Sequence, residues 1–241
     1  MAWATVKSGV ESRDEASSSP PEPASTPPAN GPVRAGFPRY FWVVLAVVVW
    51  ATGLGAGFTT LWRYKSTPSL ADGIPPPEWP SSARIARGPG QQTLVVFAHP
   101  MCPCTRASIT VLGKLLPRLG PQVSAWVVVA RAADDPEWDE AELWEHAASI
   151  PGVRVFRDDD GVEAARFHAA TSGLTLLYDA AGRLRFAGGI TAQRGHEGDS
   201  FGPRRIESLV KTGTADRADS PVFGCTLLNT SMPASNQETR P

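Results

Sequence analysis

His-Pro-Met-Cys-Pro-Cys-Thr-Arg-Ala-Ser, residues 99–108, is the stretch around which this chain is organised. It follows the apolar run Thr93–Phe97, which has the composition of a buried β-strand, and it opens a helical pattern that continues to about Leu116. Two thiols therefore lie where a strand gives way to a helix. This placement favours a chemical site over two unrelated core cysteines.

Pro103 determines the local geometry that we expect for the two cysteines. A proline suits the first position of a helix and pushes the preceding residue out of the helical region. Cys102 is therefore predicted to be the N-cap, with the unpaired amides of Cys104 and Thr105 directed towards it. These donors and the positive end of the helix dipole favour a thiolate, so Cys102 should be acidic and nucleophilic. Arg106, on the same turn, can add to this effect.

The two cysteines permit thiol–disulfide exchange, which needs a reactive thiolate and a second thiol that releases the mixed disulfide. Cys102 supplies the first group, and Cys104 can supply the second. Residues two apart in a helix point to nearly opposite sides, so a Cys102–Cys104 disulfide requires Cys102 to lie outside the helix and should still be strained. Strain would make such a bond a ready oxidant of partners. A non-catalytic interaction module with a structural disulfide is an alternative.

A metal site is another chemistry that these residues permit. His99, Cys102, Cys104, His196 and Cys225 are donors of the soft or borderline kind that copper and zinc accept. The ligand set considered for this alternative is Cys102, Cys104 and His196. Copper is accordingly the alternative to a site that uses no cofactor.

Six short stretches resemble, in this order, a group of bacterial membrane-anchored thioredoxin-like proteins named RedB. Together they cover about residues 91–228, and they are His-Pro-Met-Cys-Pro-Cys-Thr-Arg-Ala-Ser (99–108), Ala-Thr-Ser-Gly (170–173), Leu-Leu-Tyr-Asp (176–179), Gly-Gly-Ile-Thr (188–191), Arg-Gly-His (194–196) and Val-Phe-Gly-Cys (222–225). The resemblance implies a thioredoxin-like fold and a thiol redox function. We expect Cys102, Cys104 and Cys225 to be the catalytic residues. The expected supporting residues are His99, Pro103, Thr105, Arg106, Thr171, Ser172, Gly173, Arg194 and His196.

The chain departs from thioredoxins at two points. Thioredoxins have two residues between their cysteines, whereas only Pro103 separates Cys102 from Cys104. Thioredoxins also carry a cis-proline where this chain has Gly173-Leu174. That proline shapes the partner groove and keeps metals off the thiols, so its absence strengthens the metal alternative. The further resemblance to copper-delivery proteins of the thioredoxin fold is partial, since their cysteines are more widely spaced.

Hydrophobic periodicity and turn residues predict the remaining elements of an α/β domain. The expected order is β-α-β-α-β-α-β-β-α, with parallel units first and a hairpin late, which fits a thioredoxin-like sheet. After the Cys-bearing helix the predicted segments are a strand at Val123–Ala130, a helix opened by Asp135-Pro136, a strand at Val153–Phe156, a solvated turn at Asp158–Gly161, a helix at Val162–Ala169, a strand at Leu174–Tyr178, a return strand at Arg183–Phe186, and a helix from Ser200–Pro203 to Gly213.

The segment before this domain predicts a membrane anchor. Residues 1–38 contain seven prolines and few large apolar groups, so they are expected to form a disordered tail. The uncharged run Tyr40–Trp62 would span about 34 Å as a helix, enough for the hydrocarbon core of a bilayer. The predicted division is a transmembrane helix at 39–63 and a proline-rich spacer at 64–90. The thioredoxin-like domain at 91–228 and a disordered tail at 229–241 follow.

Charge and compartment set the expected partners. A net charge of −1 gives no electrostatic basis for nucleic-acid binding. Residues 40–62 should contact membrane lipid, and the thiols should act on a protein thiol or disulfide partner. Basic residues flank the span on both sides, so charge does not decide its orientation. A dithiol pair on a membrane stalk suits an oxidising compartment, and we therefore expect a single-pass inner-membrane protein with a periplasmic C-terminal domain.

Cys225 and His196 are predicted to join the Cys-Pro-Cys turn in one site. His196 lies in a loop before the last helix, and such loops commonly carry function. Cys225 follows that helix, and Val222 and Phe223 before it could pin the tail to the domain. A third cysteine in an exported protein also calls for a role as a resolving thiol, a metal ligand or an intermolecular partner.

Overall fold

The computed structural model describes residues 38–69, 73–131 and 140–227. The tails predicted at 1–38 and 229–241 lie outside this range, except for Pro38, as does the helix start predicted at Asp135-Pro136. The chain divides into two units, Met1–Ala51 and Thr52–Pro241. Helix α1 (Arg39–Ser66) contributes its first half to the first unit and its second half to the second.

Helix α1 has the length and composition predicted for a membrane span. Its 28 residues include an 18-residue window with a mean hydropathy of 2.0, none of which is buried by other parts of the protein. In the part of the chain that the structure describes, it is the one helix long and apolar enough to cross a membrane.

A six-stranded mixed sheet forms the centre of the second unit, in the order β3-β2-β1-β4-β5-β6. The strands are β1 (Gln92–Ala98), β2 (Val123–Arg131), β3 (Val153–Asp159), β4 (Thr175–Tyr178), β5 (Leu184–Gly188) and β6 (Asp219–Ser220). β1, β2 and β3 are mutually parallel, β4 is antiparallel to β1 and to β5, and β6 is parallel to β5. A parallel βαβ half followed by an antiparallel ββα half is the thioredoxin-like arrangement, which confirms the predicted fold class.

Within the described ranges, four α-helices accompany the sheet: α2 (Pro103–Leu119), α3 (Glu140–Ala148), α4 (Val162–Arg166) and α5 (Phe201–Thr212). The central strand β1 packs on both faces, which explains its continuous apolar run. Leu94 and Val96 join a core cluster with α2 and α5, whereas Val95 and Phe97 join a second cluster that includes Phe167. The end of β1 and the start of α2 are thereby fixed against both layers, and this is where the Cys-Pro-Cys turn lies.

Two local predictions need correction. The strand predicted at Val153–Phe156 continues to Asp159 as β3, and Asp158 is fully buried rather than part of a solvated turn. Its carboxylate accepts hydrogen bonds from the backbone N–H groups of Glu163 and Ala164 at 2.7 and 2.8 Å. The carboxylate therefore satisfies the free amides at the start of α4, a role that an Asp-rich turn signal does not distinguish from solvation.

Part of the expected proline-rich spacer lies against the sheet. Ile85 is 2 % exposed, and the Trp79 ring meets those of Phe167 and Tyr178 edge-on, with centroids 5.1 and 5.2 Å apart. The Tyr178 hydroxyl donates to the carbonyl of Pro76 at 3.0 Å. Packed structure therefore extends N-terminally beyond Gln91, where we expected the domain to begin.

Candidate functional site

Cys102 occupies the N-cap of α2. Its backbone is extended, with φ −90° and ψ 118°, and Pro103 is the first residue of the helix. The backbone N–H of Thr105 donates to the carbonyl of Cys102 at 3.0 Å. This geometry follows from the proline, which cannot donate a hydrogen bond and which excludes Cys102 from the helical region. The predicted position of the thiol at the positive end of the helix is therefore observed.

The sulfur of Cys225 lies 3.1 Å from the sulfur of Cys102, although 122 residues separate them along the chain. All three cysteines are free thiols. Cys102 and Cys104 are only 3 % and 6 % exposed, whereas Cys225 is half-buried. Two sulfurs from distant parts of the sequence thus meet at the start of α2.

The three cysteines differ in the direction in which their pKa values are shifted. A hydrogen bond from the Cys104 thiol holds the pKa of Cys102 well below its usual range, and hydrogen bonds from Cys225 and from the Thr105 amide add to this against the cost of burial. The same hydrogen bond raises the pKa of Cys104. Burial, followed by the hydrogen bond to Cys102, raises the pKa of Cys225. The directions of these pKa shifts favour the thiolate at Cys102 over a thiolate at Cys104 or Cys225.

The segment that carries Cys225 is fixed by backbone pairing with the loop before β4. The N–H of Ser172 donates to the carbonyl of Cys225 at 2.8 Å, and the N–H of Leu227 donates to the carbonyl of Ala170 at 2.8 Å. Thr171 and Thr226 form an antiparallel bridge between these bonds. Leu227 is 1 % exposed, so the tail is also held by a buried apolar side chain.

Gly224 is fixed from a second direction. Its carbonyl accepts hydrogen bonds from the Arg194 guanidinium at 2.5 Å and from the Ser69 hydroxyl at 2.7 Å, and its N–H donates to Ser69 at 3.0 Å. A Cβ at Gly224 would lie 1.7 Å from the carbonyl oxygen of Ser172. Only glycine therefore allows the tail to approach the loop closely enough to bring Cys225 to Cys102.

A buried polar network connects the turn to the same loop. The N–H of His99 donates to the Ser172 hydroxyl at 3.1 Å and to the Thr105 hydroxyl at 3.3 Å. The two hydroxyls also hydrogen-bond to each other. Ser172 thus contacts the turn through its side chain and the Cys225 segment through its backbone. Gly173 follows at φ +88°, a conformation that glycine adopts readily.

A cleft of about 390 Å³ opens beside Cys102. It is lined by Pro100, Met101, Cys102, Pro103, Arg106, Glu142 and Leu143. The Met101 side chain is exposed, and the Arg106 guanidinium forms a two-point ion pair with the Glu142 carboxylate. Arg106, which we expected to support the Cys102 thiolate, is therefore paired with another carboxylate. The cleft offers a partner a mixed apolar and ionic surface next to the thiol.

The loop 194–196 contributes to the site through residues other than the histidine. The Arg194 guanidinium binds the Gly224 carbonyl, and its charge opposes the burial and the hydrogen bond to Cys102 that raise the pKa of Cys225. The His196 ring is exposed and lies against Gly198, where a Cβ would be 2.2 Å from the Nε2 atom. Arg194 is thus the side chain of this loop that contacts the segment carrying Cys225.

The residues expected to bind a metal do not form a ready ligand set. Among the described residues, no three His, Cys, Asp or Glu side chains are grouped closely enough to hold an ion. The Nδ1 atom of His99 instead accepts a hydrogen bond from the N–H of Met101 at 3.2 Å. The set Cys102, Cys104 and His196 would need a rearrangement of the loop to bind copper.

Sequence reasoning overlooked several residues that build the site. Gly224 precedes a cysteine in a tail, and a glycine next to a candidate thiol is a usable signal of close backbone approach. Ser69, Thr226 and Leu227 carry no local signal, because their roles depend on partners more than 50 residues away. Glu142 was likewise not expected beside Arg106.

No family model and no curated protein matches this chain. Solved structures with a similar fold include a hypothetical protein from Sinorhizobium meliloti, at 20 % identity over 58 % of this chain and 80 % of that one, with a TM-score of 0.48. Mycobacterium tuberculosis DsbF matches at 18 % identity over 52 % and 82 %, with a TM-score of 0.38. Copper-bound ScoI of Bradyrhizobium japonicum matches at 18 % identity over 44 % and 80 %, with a TM-score of 0.33. Thioredoxin-fold disulfide oxidoreductases and copper-binding proteins are thus both among the neighbours.

Proposed function

We propose that this chain is a membrane-anchored thiol–disulfide oxidoreductase of the RedB group, with Cys102 as the attacking thiolate. The observation that carries the proposal is the position of the Cys102 sulfur, at the N-cap of α2 and 3.1 Å from a second sulfur. Exchange requires a thiolate, a nearby thiol and access for a partner. The site supplies all three, the last through the cleft between Pro100 and Leu143.

The burial of Cys102 favours a protein partner that docks in the cleft. A thiol that is 3 % exposed reacts slowly with freely diffusing reagents, whereas a bound chain can present its disulfide directly to the sulfur. Exposed Met101 provides an apolar contact of the adaptable kind that recurs at binding surfaces. Helix α1 would hold this site near a bilayer, with the domain on the periplasmic side, where disulfides persist.

The test is disulfide reduction by the full chain in detergent micelles. The wild-type protein should accelerate the reduction of insulin by dithiothreitol, followed as turbidity. Cys102→Ser should lower the rate by about 10²-fold or more, as expected when the nucleophile is removed. An unchanged rate in Cys102→Ser, or no acceleration by the wild-type protein, would refute the proposal.

Copper binding by the same sulfurs is the second candidate, because two thiols 3.1 Å apart are ligands of the kind that Cu(I) accepts. The two functions separate in one measurement. Equilibrium dialysis of the full reduced chain against a Cu(I) chelate should leave the protein copper-free if the site is only redox-active. Stoichiometric retention that is lost in Cys102→Ser would establish the copper function.

A further inference from the structure

We infer that Cys225, and not Cys104, is the resolving cysteine, so that the redox cycle closes through a Cys102–Cys225 disulfide between the start of α2 and the C-terminal tail. The inference rests on the proposed function and identifies the second thiol of that site. It departs from the simplest interpretation of Cys-Pro-Cys, in which the two neighbouring cysteines form the disulfide.

The contact between the Cys102 and Cys225 sulfurs permits this bond. The two sulfurs are 3.1 Å apart, and a disulfide bond is about 2.05 Å long, so a shift of about 1 Å closes the bond. The Cys102 and Cys225 side chains come from separate segments that already face each other. A Cys102–Cys104 bond would instead have to join the N-cap to the second residue of the same helix, across Pro103.

The surroundings of Cys104 favour a supporting role for its thiol. It lies inside the first turn of α2, where its carbonyl accepts a hydrogen bond from the Ser108 hydroxyl at 3.1 Å. The pKa of its thiol is raised, first by a hydrogen bond to Cys102 and then by burial, so this thiol keeps its proton beside the thiolate. A thiol that donates to a thiolate stabilises the charge and stays protonated, which suits a supporting group better than an attacking one.

The tail, by contrast, holds the Cys225 thiol in a position that faces Cys102. Cys225 is the most accessible of the three cysteines, and pairing of its carbonyl with the N–H of Ser172 leaves the side chain directed at Cys102. Burial and the hydrogen bond to Cys102 raise the pKa of Cys225, and the charge of Arg194, which binds the preceding carbonyl, partly opposes this rise and so favours formation of the second thiolate. The positive charge therefore lies beside the cysteine that must lose its proton during resolution.

Oxidation of Cys102 and Cys225 by a partner disulfide takes two exchange steps, in which atoms and electrons balance. The Cys102 thiolate attacks a disulfide of the partner protein, forms a mixed disulfide and releases one partner thiolate, which takes up a proton. Cys225 then loses its proton and attacks the Cys102 sulfur, which forms the Cys102–Cys225 bond and releases the second partner thiolate to be protonated. The partner disulfide gains two electrons, and the two cysteines of this chain lose them.

The test uses oxidised glutathione as the disulfide. The reduced full chain is treated with one equivalent, quenched with acid, alkylated at its free thiols and mapped by peptide mass spectrometry. We expect the 102–225 peptides to be crosslinked and Cys104 to be alkylated. A 102–104 crosslink with alkylated Cys225 would overturn the inference and leave the proposed function intact. Failure of Cys102 to enter a disulfide with oxidised glutathione and also with insulin would refute the proposed function itself.

Single-turnover measurements on two matched variants sharpen the result. In Cys225→Ser the reaction should stop at Cys102 carrying one glutathione, whereas Cys104→Ser should still proceed to the 102–225 disulfide. The reverse pattern would assign resolution to Cys104. The wild-type mapping needs no substitution, so the inference remains testable even if one of these variants folds poorly.

Discussion

The turn at 99–108 and the tail at 219–227 place one cysteine each at the same point, but they do so by different means. The turn positions Cys102 through its own residues, since Pro103 sets the backbone and α2 supplies the free amides. The tail positions Cys225 through partners that are distant in sequence, namely Ser69, Ser172 and Arg194. Local sequence therefore determines the reactivity of Cys102, and tertiary contacts determine which thiols lie beside it.

The largest effect should come from a change within the turn. Cys104→Ala removes the hydrogen bond that contributes most to the lowered pKa of Cys102. A lowered pKa means that the thiolate, and hence alkylation, reaches its plateau at acidic pH and falls only below that pKa. We expect Cys104→Ala to move this plateau to higher pH, and to slow alkylation of Cys102 at pH 6 by about 10-fold or more.

The matched control is Cys225→Ala, which removes a smaller contribution to the same pKa. It should shift the alkylation profile in the same direction but by less. A profile for Cys102 that is identical in wild type and in Cys104→Ala would show that the helix terminus alone, rather than the neighbouring thiol, sets its acidity.

The next effect should come from the tail. Gly224→Ala places a methyl group 1.7 Å from the Ser172 carbonyl oxygen, which forces the tail away from the loop. We expect a loss of about 1–3 kcal/mol in unfolding free energy and about 10-fold slower formation of the 102–225 disulfide, with the alkylation rate of Cys102 changed far less. Gly113→Ala is the control, since its Cβ meets Ile150 at an ordinary 3.4 Å. Equal effects of both substitutions would contradict the close approach.

The sequence was informative where structure is local and uninformative where it is not. The strand before Cys102, the N-cap and the α5 helix ending at Gly213 follow from periodicity, proline and glycine, which act over a few residues. The β6 strand was not predicted, because two residues carry no periodic signal and pair only through the sheet edge. Cys225 could be nominated as a third thiol, but its 3.1 Å contact depends on Gly224 and on partners far along the chain.

Ser172 contacts both the turn and the tail, and its substitution should have a smaller effect on stability than that of Gly224. Ser172→Ala removes a hydroxyl that accepts from the His99 N–H and bonds to Thr105, while its own N–H remains paired with Cys225. Because the partly buried His99 N–H loses one of its two acceptors, the free energy of unfolding should fall by about 1 kcal/mol, measured by urea unfolding. The 102–225 crosslink should still form. Ser82→Ala, at an exposed position in the turn after Pro80, is the control and should leave stability within about 0.5 kcal/mol of wild type.

Substitution of Arg194 should have the smallest effect and the most specific one. Its guanidinium binds the Gly224 carbonyl, and its charge opposes the burial and hydrogen bonding that raise the pKa of Cys225. Arg194→Met should therefore leave attack by Cys102 intact and slow resolution of the mixed disulfide. We expect a decrease of about 3–10-fold at pH 7, because loss of a nearby positive charge shifts the pH midpoint of resolution upward. A purely structural role would lower the rate without moving that midpoint. Arg194→Lys should restore the midpoint more than the rate, since lysine keeps the charge but not the fork geometry.

Arg204→Met, which removes an exposed ion pair with Asp199, serves as the control. If Arg194→Met leaves both the rate and the midpoint of resolution unchanged, Arg194 does not position the tail thiol, and the fixed backbone of Ser172 must suffice to hold Cys225 against Cys102.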